Sequence, residues 1–126
     1  MHGVAQFQPL GAITMNPVAI IHIVAGIMVI FASIPLIKRK IPMNSIYGVK
    51  IPRAYESKEK WYDINQYGGR LLLKFGAILF FTAIAGLAIP VAHWVTYDLG
   101  STVIVLVCLG YMLMAIFRYA NQDKST

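Results

Sequence analysis

Three basic side chains and two asparagines in the middle of the chain are of the types that bind anions. Lys50, Arg53 and Arg70 supply positive charge, and Asn44 and Asn65 supply amide groups within the same stretch. Hydrogen bonds from such groups to a phosphate or a carboxylate are charge-assisted and therefore strong. The pattern predicts a site for a lipid phosphate or for a carboxylate of a protein partner. The simpler interpretation is that the three cations are solvated and serve only to orient the chain in a membrane.

Metal-ligating and catalytic patterns are weak in the rest of the chain. The three histidines, His2, His22 and His93, form no close pair at helical spacing, and no acidic residue accompanies them within an apolar run. The five acidic residues lie outside those runs, and no order of nucleophile, histidine and acid and no phosphate loop occurs. We therefore expect no metal, no cofactor and no enzymatic activity, with an enzyme acting on lipid headgroups as an alternative.

Two titratable side chains lie inside long apolar runs, where a charge is costly and often functional. His22 lies near the start of the first run, and we expect it to hydrogen-bond to a neighbouring helix. Lys74 lies near the start of the second run, and we expect its ammonium group to extend back to the headgroups. Cys108 is the only cysteine, so it is interpreted as a packing residue.

The composition indicates the kind of fold that must position these residues. Of the 126 residues, 58% are hydrophobic and 13% are charged, whereas soluble domains are about 45–50% apolar and about 25% charged. Three apolar runs, 18–37, 71–95 and 101–117, are each long enough to cross a bilayer as a helix. No alternating pattern typical of strands competes with them. We therefore predict one all-α membrane domain over residues 1–126 with three transmembrane helices.

The distribution of Lys and Arg predicts the orientation in the cell membrane. Residues 38–70 contain eight of these residues, whereas residues 1–17 and the predicted turn at 96–100 contain none. Because basic connections stay in the cytoplasm, residues 38–70 and the C-terminus should be cytoplasmic and the N-terminus should lie outside. The net charge of +6 is explained by this topology and by anionic headgroups, so a nucleic-acid partner is not expected.

The connection 38–70 is long for a link between two helices, and its composition predicts a folded cytoplasmic loop. Its second half is predicted as a short amphipathic helix that begins after Ser57 and lies in the membrane interface. We expect this helix to bend at Gly68-Gly69 into the second span, because adjacent glycines weaken a helix. Trp61 is interpreted as an interface anchor, or alternatively as an anchor for a partner. Asn65 should fix the connection by binding backbone groups.

One set of residues in this connection resembles the SdpI family of bacterial membrane proteins. In chain order it consists of Pro42, Asn44, the run Tyr47-Gly48-Val49-Lys50-Ile51-Pro52, Trp61, Asn65 and the run Gly68-Gly69-Arg70. The resemblance implies a multi-pass membrane protein, and it adds Gly48, Pro52 and Gly69 to the candidate binding residues. It departs from the family pattern at Lys50, where a lysine replaces an arginine and removes a planar bidentate donor.

The resemblance also implies a function. The best-known member of the family protects against a secreted toxin and holds a transcriptional repressor at the membrane, so immunity or signalling is expected. The expected partners are membrane lipids and a protein, either a toxin or a cytoplasmic regulator. A small transporter or channel subunit is the alternative from a different class. The small residues around Gly76 and Gly86 in the second span predict close helix packing within the chain, with a homo-oligomer as the alternative.

Overall fold

The computed structural model describes residues 14–122 and contains three long helices. Helix α1 is Pro17–Ile37, α2 is Lys58–Leu87 and α3 is Trp94–Ala120. Two short 3₁₀ turns, Pro52–Glu56 and Val91–His93, precede α2 and α3. All three helices are long and apolar enough to cross a membrane, and no strand occurs among the described residues. Within these residues, the predictions of an all-helical fold and of three helices long and apolar enough to span a membrane are confirmed. His2 lies outside the described residues.

The first two helices begin at capping residues that the sequence marks. The side chain of Asn16 accepts a hydrogen bond from the N–H of Val18 at 2.8 Å. Pro17 then occupies the first helical position, where its missing N–H is not needed. Ser57 accepts a hydrogen bond from the N–H of Lys60 at 3.1 Å. Each side chain thus satisfies a backbone donor that the first turn of a helix leaves unpaired.

Helices α1 and α2 pack closely because two glycines face each other. A Cβ atom at Gly26 would lie 3.0 Å from the carbonyl oxygen of Gly76 and 3.0 Å from the backbone nitrogen of Phe80. A Cβ atom at Gly76 would likewise lie 3.0 Å from the carbonyl oxygen of Gly26. Contacts this short leave no room for a side chain, and small residues permit such approach between membrane helices. The small residues of the second span therefore pack within the chain, as predicted.

The predicted bend at Gly68-Gly69 is wrong, because α2 runs through both glycines without interruption. Residues 58–67 form the first turns of α2 and are not a separate amphipathic helix. A Cβ atom at Gly69 would lie 3.1 Å from the backbone nitrogen of Ile37, and one at Gly68 would lie 2.6 Å from a methyl group of Val49. The glycines therefore allow α2 to pack against the end of α1 and the connection, and this packing overrides their weak helix propensity.

The length of α2 explains how its charged end is accommodated. A helix of 30 residues is about 45 Å long, whereas the hydrocarbon core of a bilayer is about 30 Å thick. The apolar part of α2 follows Arg70, so the first turns of the helix extend beyond the hydrocarbon. These turns provide a rigid support for the connection that precedes them.

The connection between α2 and α3 also differs from the prediction, since it lies at residues 88–93. Residues 96–100, which the sequence predicts as a turn, lie inside α3. The hydroxyl groups of Ser101 and Thr102 donate to the carbonyl oxygen of Asp98 at 3.1 Å and 2.7 Å, and the carboxylate of Asp98 accepts from Asn16 at 2.9 Å. The polar groups that suggest a turn are thus used within and beside a helix. Helix α2 ends at Leu87, before the end of the predicted run 71–95, and α3 begins at Trp94, before the start of the predicted run 101–117.

Helix α3 contacts α2 near both of its ends. Near its start, Tyr97 lies over Gly86, where no side chain would fit, and donates a hydrogen bond to the carbonyl oxygen of Thr82 at 3.2 Å. Near its end, Ile116 is buried against Trp61 and Ile64 of α2. The second contact brings α3 to the same end of the molecule as the connection between α1 and α2.

Candidate functional site

The connection between α1 and α2, residues 38–57, folds over the first turns of α2. The buried cluster beneath it consists of Ala54 from the 3₁₀ turn, Trp61 and Ile64 from α2, and Ile116 from α3. Val49 and Ile51 of the connection pack against this cluster. Removal of these apolar groups from water supplies free energy that orders the connection. The connection is therefore a folded layer, and we call it the folded connection below.

Two side chains of α2 hold the folded connection through hydrogen bonds. Trp61 is fully buried, and its indole N–H donates to the carbonyl oxygen of Ile41 at 2.9 Å. The amide oxygen of Asn65 accepts from the N–H of Val49, and its amide nitrogen donates to the carbonyl oxygen of Trp61 at 2.9 Å. The predicted structural role of Asn65 is confirmed by these bonds. Trp61 positions the folded connection from inside, and its ring is not on the surface.

Gly48 is required where the chain passes over α2. Its φ angle is 123°, which side chains rarely tolerate. A Cβ atom there would lie 2.5 Å from the amide oxygen of Asn65 and 3.2 Å from the Trp61 ring. A larger residue would push the backbone away from both side chains. Gly48 therefore contributes a close approach to the site, and its role is conformational.

Asn44 organises the turn that begins the folded connection. Its amide oxygen accepts from the N–H groups of Ile46 and Tyr47 at 2.8 Å and 2.7 Å. Its amide nitrogen donates to the carbonyl oxygens of Pro42 and Tyr47 at 2.7 Å and 3.1 Å. The hydroxyl of Tyr55 donates to the backbone carbonyl of Asn44 at 2.8 Å. The side chain is fully used by these bonds, so Asn44 builds the turn and holds no free donor for an anion.

Two residues join α1 to α2 and were not candidates in the sequence: Arg39, just after α1, and Gln66 of α2. Arg39 adopts a left-handed conformation with a φ angle of 55°, at the position after the helix where glycine is usual. Its guanidinium lies 5.4 Å from the centre of the Tyr62 ring, a distance typical of a cation–π contact. The amide of Gln66 donates to the carbonyl oxygen of Ile37 at 2.9 Å. Gln66 thus satisfies one of the carbonyl groups that a helix end leaves unpaired.

The three cations of the predicted anion site all lie toward the surface, in different surroundings. Lys50 is exposed and donates to the carbonyl oxygen of Ser45 at 3.2 Å. Arg53 forms an exposed ion pair with Glu56 at 3.7 Å. Arg70 is exposed on α2. Within residues 14–122, neither Lys50 nor Arg70 forms an ion pair with a carboxylate.

The two remaining candidate residues, Pro52 and Gly69, shape the backbone and the helix packing. Pro52 is exposed and begins the 3₁₀ turn Pro52–Glu56, where its missing N–H is not needed. Gly69 is buried, and a Cβ atom on it would lie 3.0 Å from the Cβ atom of Leu36. Gly69 therefore sets the distance between α2 and the end of α1.

A comparison with known protein families matches this part of the chain. The model of the SdpI/YfhL protein family covers residues 40–119. The chain belongs to the SdpI/YfhL protein family. In this family member, the matched region begins just after Arg39 and contains residues 40–57 of the folded connection, α2 and nearly all of α3. Comparisons with curated proteins and with solved structures give no match.

Two groups in the folded connection of this SdpI/YfhL protein have shifted pKa values. Burial raises the pKa of Tyr47 above its ordinary value of 10.0, and its hydroxyl donates to the carbonyl oxygen of Ala32 in α1. A hydrogen bond from Lys60 and the nearby charge of Arg53 lower the pKa of Glu56. At neutral pH, Tyr47 is therefore a neutral donor that joins the connection to α1, and Glu56 is ionised.

His22 and Lys74 lie apart from the folded connection. The Nδ1 atom of His22 is buried and has no hydrogen-bond partner among the described residues, so the expected bond to a neighbouring helix is not present at this atom. His22 borders a narrow crevice between the helices, together with Thr82, Ser101 and Cys108. Lys74 is exposed on α2, one turn after Arg70. The described residues contain no group of three metal-ligating side chains.

The sequence signal was strongest for residues that share the family pattern and weak for Arg39 and Gln66. Gln66 is assigned by periodicity to the solvated face of a helix, yet it is half-buried against α1. Arg39 lies in a basic run whose composition gives no sign of a left-handed backbone. Such contacts depend on how α1 and α2 meet, which local sequence does not determine.

Proposed function

We propose that this SdpI/YfhL protein is a membrane recognition protein of the immunity or signalling type, and that it has no catalytic role. The folded connection faces the cytoplasm in this proposal, with the C-terminus on the same side and the N-terminus outside. The bias of Lys and Arg toward residues 38–70 supports this orientation. Its partner is a protein segment that carries carboxylates, such as a regulator on the cytoplasmic side.

The observation that carries the proposal is that different residues build the folded connection and present charge at its surface. The polar side-chain groups of the residues that build it form hydrogen bonds with backbone atoms; these residues are Asn44, Trp61 and Asn65. Lys50 and Arg70 point charge to the surface without a carboxylate partner among the described residues. A rigid backbone that presents unpaired cations binds a partner with a small loss of conformational entropy. The cations also speed association with an acidic surface.

The test is protection of a sensitive bacterial host against secreted toxins, with the wild type compared with a Lys50→Gln, Arg70→Gln double variant. The double variant should lose protection while its membrane level stays unchanged, because both residues are exposed and support no buried contact. A matched control, Lys38→Gln with Lys58→Gln, removes two exposed cations from the same basic stretch. Protection should persist in this control.

Two outcomes would contradict the proposal. Full protection by the Lys50→Gln, Arg70→Gln variant would show that these cations do not contact the partner. An equal loss in the control variant would attribute protection to total charge and not to a site. A Trp61→Ala variant is not a substitute for this test, since it removes the interior of the folded connection.

A second candidate, a subunit of a small transporter or channel, is favoured by one observation. The buried Nδ1 atom of His22 has no partner in the described structure and borders a crevice between membrane-spanning helices. Intramembrane histidines of this kind are common on ion and proton pathways. Flux of protons or small cations into liposomes that contain the purified protein distinguishes the two. The recognition proposal predicts no flux above that of empty liposomes, and a flux that His22→Leu abolishes would favour transport.

A further inference from the structure

A polar cleft lies between α2 and α3, at the end of α3. It offers about 180 Å³ of space and is lined by Tyr67 of α2 and by Tyr111, Met114, Arg118, Tyr119 and Gln122 of the other wall. Pockets that enclose a whole small ligand are commonly about 300–1,000 Å³, so only part of a ligand fits inside this cleft. None of these side chains belongs to the anion site predicted from the sequence. The cleft therefore needs an explanation of its own.

The walls of the cleft combine a guanidinium group with two stacked aromatic rings. Arg118 is exposed in the last turn of α3 and forms no ion pair within the described residues. The rings of Tyr67 and Tyr119 are stacked, with their centres 4.0 Å apart and their planes 3° from parallel. This stack joins α2 to α3 and keeps one wall in place. Gln122 adds an amide donor beside the guanidinium.

The position of the cleft matches the headgroup level of a bilayer. Helix α3 has 27 residues and is therefore about 40 Å long, which exceeds the hydrocarbon thickness of about 30 Å. The apolar run 101–117 ends just before Arg118, so we place the last turn of α3 at the headgroups. Met114 and Tyr111, one and two turns before Arg118, are 63% and 65% exposed and continue the cleft toward the hydrocarbon. A ligand with a phosphate at one end and an acyl chain at the other fits a cleft that has a cation at one end and apolar side chains at the other.

We propose that this cleft binds an anionic phospholipid. Arg118 contacts the lipid phosphate through its guanidinium, whose fork of donors matches phosphate oxygens. Gln122 donates a further hydrogen bond, and an acyl chain lies along Tyr111 and Met114. An arginine at the end of a helix also stabilises the helix dipole, so the test must separate lipid binding from this role.

The test uses the purified full chain in detergent micelles and counts bound lipid by native mass spectrometry. The probes are phosphatidylglycerol, zwitterionic phosphatidylcholine and inorganic phosphate. Phosphatidylglycerol should bind, and Arg118→Gln should weaken its binding about tenfold, the loss typical of one charge-assisted hydrogen bond. Arg118→Lys should bind with intermediate affinity because it keeps the charge and loses the fork. Lys58→Gln, which removes one positive charge from an exposed residue outside both sites, should bind as the wild type does.

Four results would overturn the proposal. Binding of phosphatidylglycerol by Arg118→Gln at the wild-type level would exclude Arg118, and an equal loss in Lys58→Gln would indicate a general effect of charge. Equal binding of phosphatidylcholine would exclude selection for an anionic lipid. Binding of inorganic phosphate without retention of phosphatidylglycerol would assign the cleft to a soluble anion. Near-ultraviolet circular dichroism checks that each variant keeps the stacked tyrosines and the fold.

Discussion

Replacement of Gly48 by alanine tests whether the folded connection depends on a close approach to α2. The added Cβ atom meets two obstacles that have separate causes. The backbone at Gly48 has a φ angle of 123°, which an alanine adopts only with strain. The Cβ atom would also lie 2.5 Å from the amide oxygen of Asn65, the atom that accepts the N–H of Val49.

The size of the effect follows from these two obstacles. A residue held in a sparsely populated backbone region costs about 1–3 kcal/mol. Displacement of Asn65 removes one hydrogen bond, which contributes about 1 kcal/mol net. Gly48→Ala should therefore destabilise the folded connection by about 2–4 kcal/mol. In a domain of this size, that loss lowers the melting temperature by roughly 10 °C.

The assay is thermal unfolding in detergent micelles, followed by the fluorescence of Trp61. The chain has two tryptophans, so a Trp94→Phe background assigns the signal to the folded connection. Gly100→Ala is the matched control, because a Cβ atom at Gly100 meets no atom within 4 Å and the residue lies inside α3. This control should stabilise α3 by about 0.5–1 kcal/mol. Equal melting of Gly48→Ala and the wild type would refute the close approach.

Two further predictions concern the contacts of the folded connection with α1. Burial raises the pKa of Tyr47 above 10.0, so the folded state binds the Tyr47 proton more tightly than the unfolded state does. The stability that this difference contributes is fully present below about pH 10 and is lost as the pH rises through the folded-state pKa. A titration of Trp61 fluorescence should show loosening above about pH 10, and the loosening should be smaller in Tyr47→Phe; identical titrations would contradict the assignment. At Arg39, whose φ angle is 55°, Arg39→Gly relieves about 1–2 kcal/mol of strain and loses a cation–π contact of about 0.5–1 kcal/mol. Its melting temperature should stay close to the wild-type value, whereas Arg39→Val should melt clearly lower, and a stable Arg39→Val would refute the strained position.

The three apolar helices and the starts of α1 and α2 could be predicted because local physics determines them. Long apolar runs have few alternatives to crossing a bilayer as helices. Asn16 and Ser57 cap helices through bonds to backbone atoms two or three residues away. Such bonds depend only on neighbours in the sequence, so residue type and spacing predict them well.

The errors arose where distant segments of the chain decide the local structure. Gly68 and Gly69 would weaken an isolated helix, but here their missing side chains admit Val49 and the end of α1. Asp98 and Ser101 resemble turn residues, yet their polar groups bond to Asn16 and to the backbone of α3. Tertiary contacts override local propensity in both cases.

The roles of the candidate site residues also depend on contacts between distant parts of the chain. The family pattern correctly drew attention to Asn44, Gly48, Trp61 and Asn65, but sequence alone did not separate residues that build the folded connection from residues that present charge. That separation follows from burial and from hydrogen bonds between residues far apart in the chain, such as the bond from Val49 to Asn65. The surface cation Lys50 and the interior residue Gly48 are only two positions apart.

The most direct test of the central claim is amide hydrogen exchange of the folded connection, measured by NMR on the full chain in micelles. The N–H of Val49 donates to the side chain of Asn65, so it should exchange far more slowly than an unprotected amide. An Asn65→Ala variant should remove most of this protection and leave the amides in the middle of α2 protected. Rapid exchange of Val49 in the wild-type protein would show that the connection is not a folded layer on α2, and it would contradict the account.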